Sequence, residues 1–367
     1  MSTWIASAAF GLEGLVKREL QSLGFEGRVA TGGVRFEADG AGAFLCNLQL
    51  RTADRVLLLV TEGPATSFEE LFELVRAVNW ADYLPRGARF PVSGHCARSQ
   101  LMSVSDCQAI TKKAIAQKLS EKYKTDWLEE SGATYQVSVT IHENIARITL
   151  DASGDALNRR GYRTWNGEAP LRETLAAALV DISPWRPGQP LHDPCCGTGT
   201  ILIEAALRTA NRAPGLNRGF AMEQWAFVDQ KACQRLREQA KASVDLSLIE
   251  GISGSDVDPE ALKLCRKHIA QAGLSGKIEV FEKDFRDLEP LTPGTCIITN
   301  PPYGERLYTK QQVHTLYRQM RRLEEKTQGG RVCVLTSVPA FEKLYGRRAS
   351  RKRRLYNGRL ECEFLVF

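Results

Sequence analysis

The sequence has no apolar run that approaches the roughly twenty residues of a membrane-spanning helix. Its first residues also lack the basic segment followed by an apolar one that marks a secretory signal. These absences exclude a helical integral membrane protein. They predict a cytoplasmic protein that has no membrane partner.

Cysteine and histidine show no metal-binding pattern. The chain has ten cysteines, none in a C-x-x-C pair, and its five histidines are scattered singly. Buried free thiols are therefore expected, rather than disulfides or a bound metal. Cys195 and Cys196 form the only adjacent cysteine pair.

The composition is that of a globular protein with two or three domains. The chain has 367 residues, of which 43% are hydrophobic and 25% charged. Its net charge is +6, but the charge is segregated. Residues 86–124 contain eight basic and two acidic side chains, and residues 343–354 contain seven basic and none acidic. Either cluster alone is typical of a solubilising surface, whereas two together favour a polyphosphate partner such as RNA.

The C-terminal half alternates between strand and helix patterns. Strands are predicted at 190–193, 251–256, 277–281, 295–299 and 331–337, with helices at 200–210 and 258–272. Residues 353–356 and 359–366 flank Asn357-Gly358, a strong hairpin signal. A doubly wound parallel sheet that ends in an antiparallel hairpin is typical of the α/β Rossmann-like class I methyltransferases.

The N-terminal half has a different pattern. Strands are predicted at 4–7, 33–37 and 55–61, with a helix at 12–22. A helix at 106–123 carries four lysines and is followed by a hairpin of residues 135–141 and 146–151. We interpret this half as interleaved α+β modules, with a linker near residues 154–170.

Asn300-Pro301-Pro302-Tyr303, here called the tetrad, directly follows the predicted strand 295–299. Reactive groups of open α/β sheets lie at this end of a strand. The Asn300 side-chain oxygen and the Pro301 carbonyl can accept both hydrogens of a planar amine, and two prolines stiffen the loop. Tyr303 offers a flat face for an unstacked base. On these residues alone, an ordinary proline turn is an equally good interpretation.

A glycine turn, Asp193-Pro194-Cys195-Cys196-Gly197-Thr198-Gly199-Thr200, follows the first predicted strand of the C-terminal half and opens a helix. It lacks the third glycine of a dinucleotide site, and its amides suit the carboxylate of S-adenosylmethionine (SAM). Asp193 would face the cationic end of SAM, Asp256 the ribose hydroxyls and Asp284 the adenine amine. Each acid alone is more often a helix cap.

Together these features resemble the THUMP-domain RNA guanine-N2 methyltransferases, and especially the N-terminal half of the bifunctional bacterial large-subunit rRNA methyltransferase and its stand-alone relatives. The resemblance is carried by four stretches: 157–163 (LNRRGYR), 169–176 (APLRETLA), 193–200 (DPCCGTGT) and 300–307 (NPPYGERL).

The resemblance implies a ferredoxin-like segment at 1–45, a THUMP module at 46–155 interleaved with it, and a methyltransferase domain at 156–367. It also implies that Asn300 and Pro301 hold a guanine amine, that Tyr303 stacks on the base, and that Arg172 and Glu173 pack over the cofactor mouth. The expected catalytic residues are Asn300, Pro301, Pro302 and Tyr303. The expected cofactor contacts are Asp193, Cys196, Gly197, Gly199, Thr200, Asp256 and Asp284.

The expected function is SAM-dependent methylation of a guanine amine in structured RNA, with large-subunit rRNA preferred to tRNA. Two alternatives stay open at this point. In the first, the same tetrad acts on an adenine amine in DNA or a glutamine amide in a protein. In the second, the chain is an RNA-binding assembly protein with a lapsed catalytic site. The sequence does not determine the oligomeric state.

Overall fold

The computed structural model describes residues 1–163, 171–303 and 310–367. Two seven-stranded sheets, one in each half of the chain, organise these residues. The N-terminal elements are β1 (Ser2–Ser7), α1 (Glu13–Ser22), β2 (Gly27–Ala30), β3 (Gly33–Ala38), α2 (Gly40–Gln49), β4 (Arg55–Pro64), α3 (Phe68–Arg76), β5 (Val92–Ala97), α4 (Val104–Tyr123), β6 (Val137–His142) and β7 (Ile145–Asp151). The C-terminal elements are α5 (Glu173–Ile182), β8 (Leu191–Asp193), α6 (Thr200–Thr209), α7 (Gln230–Ala242), β9 (Ile252–Asp256), α8 (Pro259–Gln271), β10 (Glu279–Glu282), β11 (Cys296–Thr299), α9 (Lys310–Met320), α10 (Arg322–Lys326), β12 (Arg331–Thr336), α11 (Phe341–Tyr345), β13 (Arg351–Asn357) and β14 (Leu360–Val366).

The N-terminal sheet is continuous across both predicted modules. Its strand order is β2-β3-β1-β4-β7-β6-β5, and β4 pairs with β1 on one side and β7 on the other. Buried and part-buried residues alternate along β6, as expected for a sheet with one face on the core. The predicted boundary after residue 45 falls inside α2, and the domain limits stay a prediction.

The C-terminal sheet has the predicted Rossmann-like architecture. Its order is β10-β9-β8-β11-β12-β14-β13. The first five of these strands are parallel, and β14 runs antiparallel to both neighbours. At the start of α8, Asp258 accepts a hydrogen bond from the Glu260 amide and Pro259 occupies the first turn. The expected fold class is confirmed.

Residues 213–240 lie between two strands of the C-terminal sheet in sequence, but their buried apolar side chains pack in the N-terminal core. Phe220, Met222 and Trp225 are buried in the N-terminal core, and the Trp225 ring stacks on Tyr135 with centroids 5.6 Å apart. This segment therefore connects the two halves of the chain by packing. None of the helices in the described ranges is long and apolar enough to cross a bilayer.

The predicted linker is partly buried: within residues 157–163, Arg159 and Gly161 are exposed but three other side chains are not. Leu157, Arg160 and Tyr162 are at most 3% exposed. The rest of the predicted linker, residues 164–170, lies outside the described ranges. The Arg160 guanidinium donates to the carbonyls of Leu157 (2.6 Å) and Arg51, and its Nε lies 3.5 Å from a carboxylate oxygen of Glu204.

Glu204, on α6, completes this buried network from the C-terminal half. The Tyr162 hydroxyl donates to its carboxylate at 3.0 Å. Burial raises the pKa of Glu204, while Arg160 and Arg51 oppose that rise. Charges this deeply buried are tolerated only when each one keeps its partners.

We therefore expect Arg160→Ala to lower the free energy of unfolding by about 3 kcal/mol, because it leaves the Glu204 carboxylate buried without its cation. The adjacent Arg159→Ala is the matched control. Arg159 forms an ion pair with Asp155 in which both side chains are about 70% exposed, so its loss should cost less than about 1 kcal/mol. Urea denaturation of the three proteins measures both effects. Equal midpoints for Arg160→Ala and Arg159→Ala would contradict this account.

Candidate active site

Four polar side chains converge at the carboxyl edge of the C-terminal sheet. β8 ends at Asp193 and β9 at Asp256, while Asp284 follows β10 and Asn300 follows β11. Parallel strands bring these positions to one edge, where connections leave in opposite directions on either side of β8. A cavity of about 1130 Å³ opens there.

Most of the predicted site residues line this cavity. They are Asp193, Cys196, Gly197, Thr200, Asp256, Asp284, Asn300 and Pro302. Gly199, Pro301 and Tyr303 are not among the residues that line it. Of the predicted stretch 300–307, residues 304–307 lie outside the described ranges, as do residues 169 and 170 of the stretch 169–176.

The glycine turn is shaped by backbone requirements. Gly197 and Gly199 have positive φ angles of 51° and 81°, which favour residues without a Cβ atom. A Cβ on Gly199 would also collide with the Sγ of Cys265. Gly197 donates its amide to Asp256 at 2.8 Å. Gly199 therefore sets the path of the chain into α6, while Gly197 borders the cavity.

The stretch 157–163 reaches the same turn through Arg163. The Arg163 guanidinium donates to the Thr200 hydroxyl and to the Leu171 carbonyl (3.2 Å), and both acceptor residues line the cavity. Glu173 is buried and lies 3.3 Å from Arg163 as an ion pair. Arg172 is exposed at the start of α5. Glu173 thus supports the cavity wall through Arg163.

The three acids have different electrostatic environments. Burial raises the pKa of Asp193 to about 7, against the stabilising hydrogen bond from the Cys195 amide. The hydrogen bonds of Arg286 hold the pKa of Asp284 below its usual value. Asp256 accepts from the Gly197 amide and, at 3.1 Å, from the Asp258 amide. The charge of Asp193 is therefore sensitive to pH near neutrality, whereas the lowered pKa keeps Asp284 ionised there.

Packing and hydrogen bonds fix the position of the tetrad. Pro301 is buried, and the Tyr317 hydroxyl donates to the Pro302 carbonyl at 2.9 Å. The Tyr303 ring packs on the core of the C-terminal half, and its hydroxyl donates to the side-chain oxygen of Asn300. The Asn300 oxygen keeps a second lone pair, so a substrate amine can either share this oxygen with Tyr303 or displace its hydroxyl.

Sequence reasoning missed one whole wall of the cavity. Side chains of α9 at helical spacing form it, namely Gln311, Gln312, Thr315, Leu316 and Gln319. Val257 and Phe285, which directly follow Asp256 and Asp284, also line it, and Val257 is 49% exposed. The sequence did contain one signal for these apolar lining residues, because each of these two acids is followed directly by an apolar side chain. A purine ring needs apolar surfaces beside its polar contacts.

Across the described ranges, no group of three or more metal-ligating side chains is present. All ten cysteines are free and eight are buried, as expected from their spacing. His192 beside Asp193 is a structural residue: its ring nitrogens lie 2.9 and 3.3 Å from the hydroxyls of Ser253 and Ser255. Burial lowers its pKa to about 4.

Comparison with known families decides what this site is. The RMKL-like methyltransferase domain matches residues 160–365, the RlmL ferredoxin-like domain residues 3–57 and the THUMP domain residues 65–151. The chain belongs to the RlmL-like, THUMP-containing RNA methyltransferases. The resemblance inferred from the four sequence stretches is thereby confirmed.

Similar proteins match this methyltransferase over its full length. It is 42% identical to the Bacillus subtilis protein YpsC, provisionally named an RNA methyltransferase, over 100% of this chain and 95% of that protein. SMU.472, whose crystal structure is complexed with S-adenosylhomocysteine (SAH), is 38% identical in sequence, with a TM-score of 0.95. The match covers 100% of this chain and 97% of that chain. A Listeria monocytogenes structure described as a predicted N6-adenine-specific DNA methylase is 40% identical, with a TM-score of 0.94 and coverage of 100% and 96%.

The SMU.472 structure holds SAH, which is what remains of SAM after methyl transfer. The residues at the cavity fit such a ligand. The turn before α6 offers backbone amides for a carboxylate, Asp193 offers negative charge for a cation, and Asp256 offers acceptors for ribose hydroxyls.

Binding of SAM is expected to depend on pH through Asp193. Its carboxyl group, with a pKa of about 7, is mostly neutral below that pH and negative above it. The cationic end of SAM prefers the negative form, so affinity should rise between about pH 5.5 and pH 8, by up to about tenfold per unit on the acid side. Isothermal titration calorimetry in two buffers of different ionisation enthalpy measures the affinity and the released proton.

Two variants isolate the effect of Asp193. Asp193→Asn should bind weakly and without this pH dependence. Asp284→Asn should bind weakly but keep the wild-type slope, because Arg286 keeps Asp284 ionised throughout this range. A wild-type affinity that does not change with pH would show that Asp193 does not face the charge of SAM.

Proposed function

We propose that this methyltransferase transfers the SAM methyl group to the exocyclic amine of a guanine in structured RNA, and that large-subunit rRNA is the substrate. One observation carries the proposal: the tetrad follows β11 and presents Asn300 and Pro302 to the cavity that Asp193, Asp256 and Asp284 line. The target amine and the methyl donor would therefore share one cavity.

The chemistry requires positioning more than proton transfer. The lone pair of a guanine amine is delocalised into the ring, and acceptors for its two hydrogens localise that lone pair on nitrogen. Asn300 and the Pro301 carbonyl would be the acceptors, with the Tyr303 hydroxyl leaving Asn300 as the base enters. SAM supplies an electrophilic methyl group. Because nitrogen becomes acidic only after methylation, its proton can leave late, without a strong base.

Surface charge supports a nucleic acid over a protein as the carrier of the amine, and the THUMP domain favours RNA over DNA. Lys113 and Lys122 lie exposed on α4, and the basic stretch 343–354 extends from α11 into β13. Three cations of that stretch pair with glutamates, among them Arg347 with Glu324 at 2.5 Å. Its other exposed cations, Lys343, Arg348 and Arg351, leave the surface suited to phosphate.

Nucleoside mapping tests the substrate. In cells that lack the gene, we expect N2-methylguanosine to disappear from one fragment of large-subunit rRNA and to return on complementation. Mass spectrometry of rRNA and tRNA digests measures this. Loss from tRNA alone would redirect the assignment to tRNA. Loss of a methylated adenine from DNA, or of a methylated glutamine from a protein, would replace it.

Asn300→Ala should reduce kcat on the mapped RNA by about a hundredfold or more, the usual loss when one preorganised hydrogen bond at a reacting group is removed. Its SAM affinity should stay close to wild type. Tyr303→Phe is the control, since it keeps the ring and removes only the hydroxyl that occupies Asn300. We expect kcat within about threefold of wild type for that variant, or under 1 kcal/mol.

Stopped-flow methyl transfer and a separate SAM titration measure both variants. If Asn300→Ala methylates RNA at the wild-type rate while it still binds SAM, Asn300 does not hold the amine. If the wild-type protein does not bind SAM at millimolar concentration, a lapsed catalytic site is the better interpretation.

A further inference from the structure

Phe10, in the loop between β1 and α1, is 67% exposed. Its ring packs edge-on against Tyr356 of β13, with centroids 5.6 Å apart and an interplanar angle of 81°. The pair joins the N-terminal half to the C-terminal sheet, yet most of the Phe10 surface faces water. A large exposed aromatic surface of this kind often marks a binding site.

The backbone on either side of this ring is tightly fixed. Gly11 has a φ of 89°, and a Cβ there would lie 2.9 Å from the Arg354 carbonyl. Its amide donates to Glu13 at 2.9 Å, and its carbonyl accepts from Arg353 at 2.7 Å. Phe10 is therefore presented on a rigid turn against the sheet edge, which lowers the entropic cost of using it for binding.

The aromatic pair lies near the tetrad. β13 and β11 are separated by β12 and β14, so three strand spacings of about 4.8 Å place them roughly 14 Å apart. Tyr303 spans part of this distance. Asn357, next to Tyr356, and Cys362 of β14 both contact its side chain.

The charge around the pair suits a phosphate chain. Arg359 is exposed in the hairpin turn, Arg354 lies 3.3 Å from Glu361, and Arg18 lies close enough to Arg353 to lower its pKa, although burial is the larger cause. The charged groups near the pair are therefore four arginines and two glutamates, namely Arg18, Arg353, Arg354, Arg359, Glu13 and Glu361.

We propose that the Phe10 ring, supported edge-on by Tyr356, is an aromatic platform on which a base of the substrate RNA, flanking the methylated nucleotide, stacks. The nearby arginines hold the adjoining phosphates. Base stacking on an aromatic side chain tolerates any base, so the platform anchors the strand without reading its sequence. The proposal rests on the proposed function only in taking RNA as the substrate, and it is independent of which base is methylated.

Binding of a short single-stranded RNA of mixed sequence tests the platform. Phe10→Ala should weaken binding about tenfold, equivalent to about 1.4 kcal/mol and within the range of one lost base stack. Phe10→Trp should bind as wild type, and Phe10→Leu should behave like Phe10→Ala because it keeps apolar volume but loses the flat face. Fluorescence anisotropy measures all four proteins.

Leu248→Ala is the matched control, since Leu248 is 52% exposed just before β9, at the opposite edge of the sheet. It should bind RNA as wild type, and every variant should keep wild-type SAM affinity if it is folded. The same RNA carrying 4-thiouridine should crosslink to the peptide that contains Phe10.

Two results would overturn the platform: wild-type RNA binding by Phe10→Ala, or full binding by Phe10→Leu together with no crosslink at Phe10. The second result would assign the exposed ring to an apolar contact with a protein. Neither readout needs methyl transfer, so a negative nucleoside map would remove the assignment to guanine and leave this test intact.

Discussion

The buried ion pair between Arg160 and Glu204 holds the molecule together at its centre. Arg160 follows the last strand of the N-terminal sheet, while Glu204 belongs to α6 of the C-terminal sheet. Charges removed from water in this way contribute less to stability than an apolar contact of the same size. What Arg160 provides is directionality, because its two terminal nitrogens donate to the carbonyls of Leu157 and Arg51 while its Nε faces Glu204. The orientation of the RNA-binding half relative to the cofactor cavity depends on that geometry.

The same segment connects this junction to the chemistry. Three residues beyond Arg160, Arg163 binds Thr200 at the start of α6 and Glu173 at the start of α5. One short run of sequence thus contacts the N-terminal half at Arg51, in the loop between α2 and β4, and the cavity wall at Thr200. On the N-terminal side, β4 is shared by both predicted modules, so those modules are not separable at that strand.

Patterns that depend on local chemistry could be predicted from the sequence. The alternation of strands and helices predicted the C-terminal sheet, and Asn357-Gly358 predicted its hairpin. The acids were placed correctly at one edge because parallel strands all end there. Pairing of β4 with β7 was not predictable, since it joins distant residues whose patterns fit several registers. The burial of Arg160 and Arg163 was not predictable either, since arginine is usually exposed and only the fold reveals their partners. The α9 wall was missed because glutamines at helical spacing resemble any solvated helix face.

The hydrogen bond from Tyr303 to Asn300 has a consequence for selectivity. The Tyr303 hydroxyl already uses one of the two lone pairs of the Asn300 oxygen, so under the proposed function an incoming amine has to share that oxygen or displace the hydroxyl. Small free metabolites that carry an amine lack the ring surface and phosphates to compensate for that exchange. A base delivered by a folded polymer brings binding energy from contacts far from the amine. Under the proposed function, the hydrogen bond within the tetrad therefore disfavours methyl transfer from SAM to small free amines.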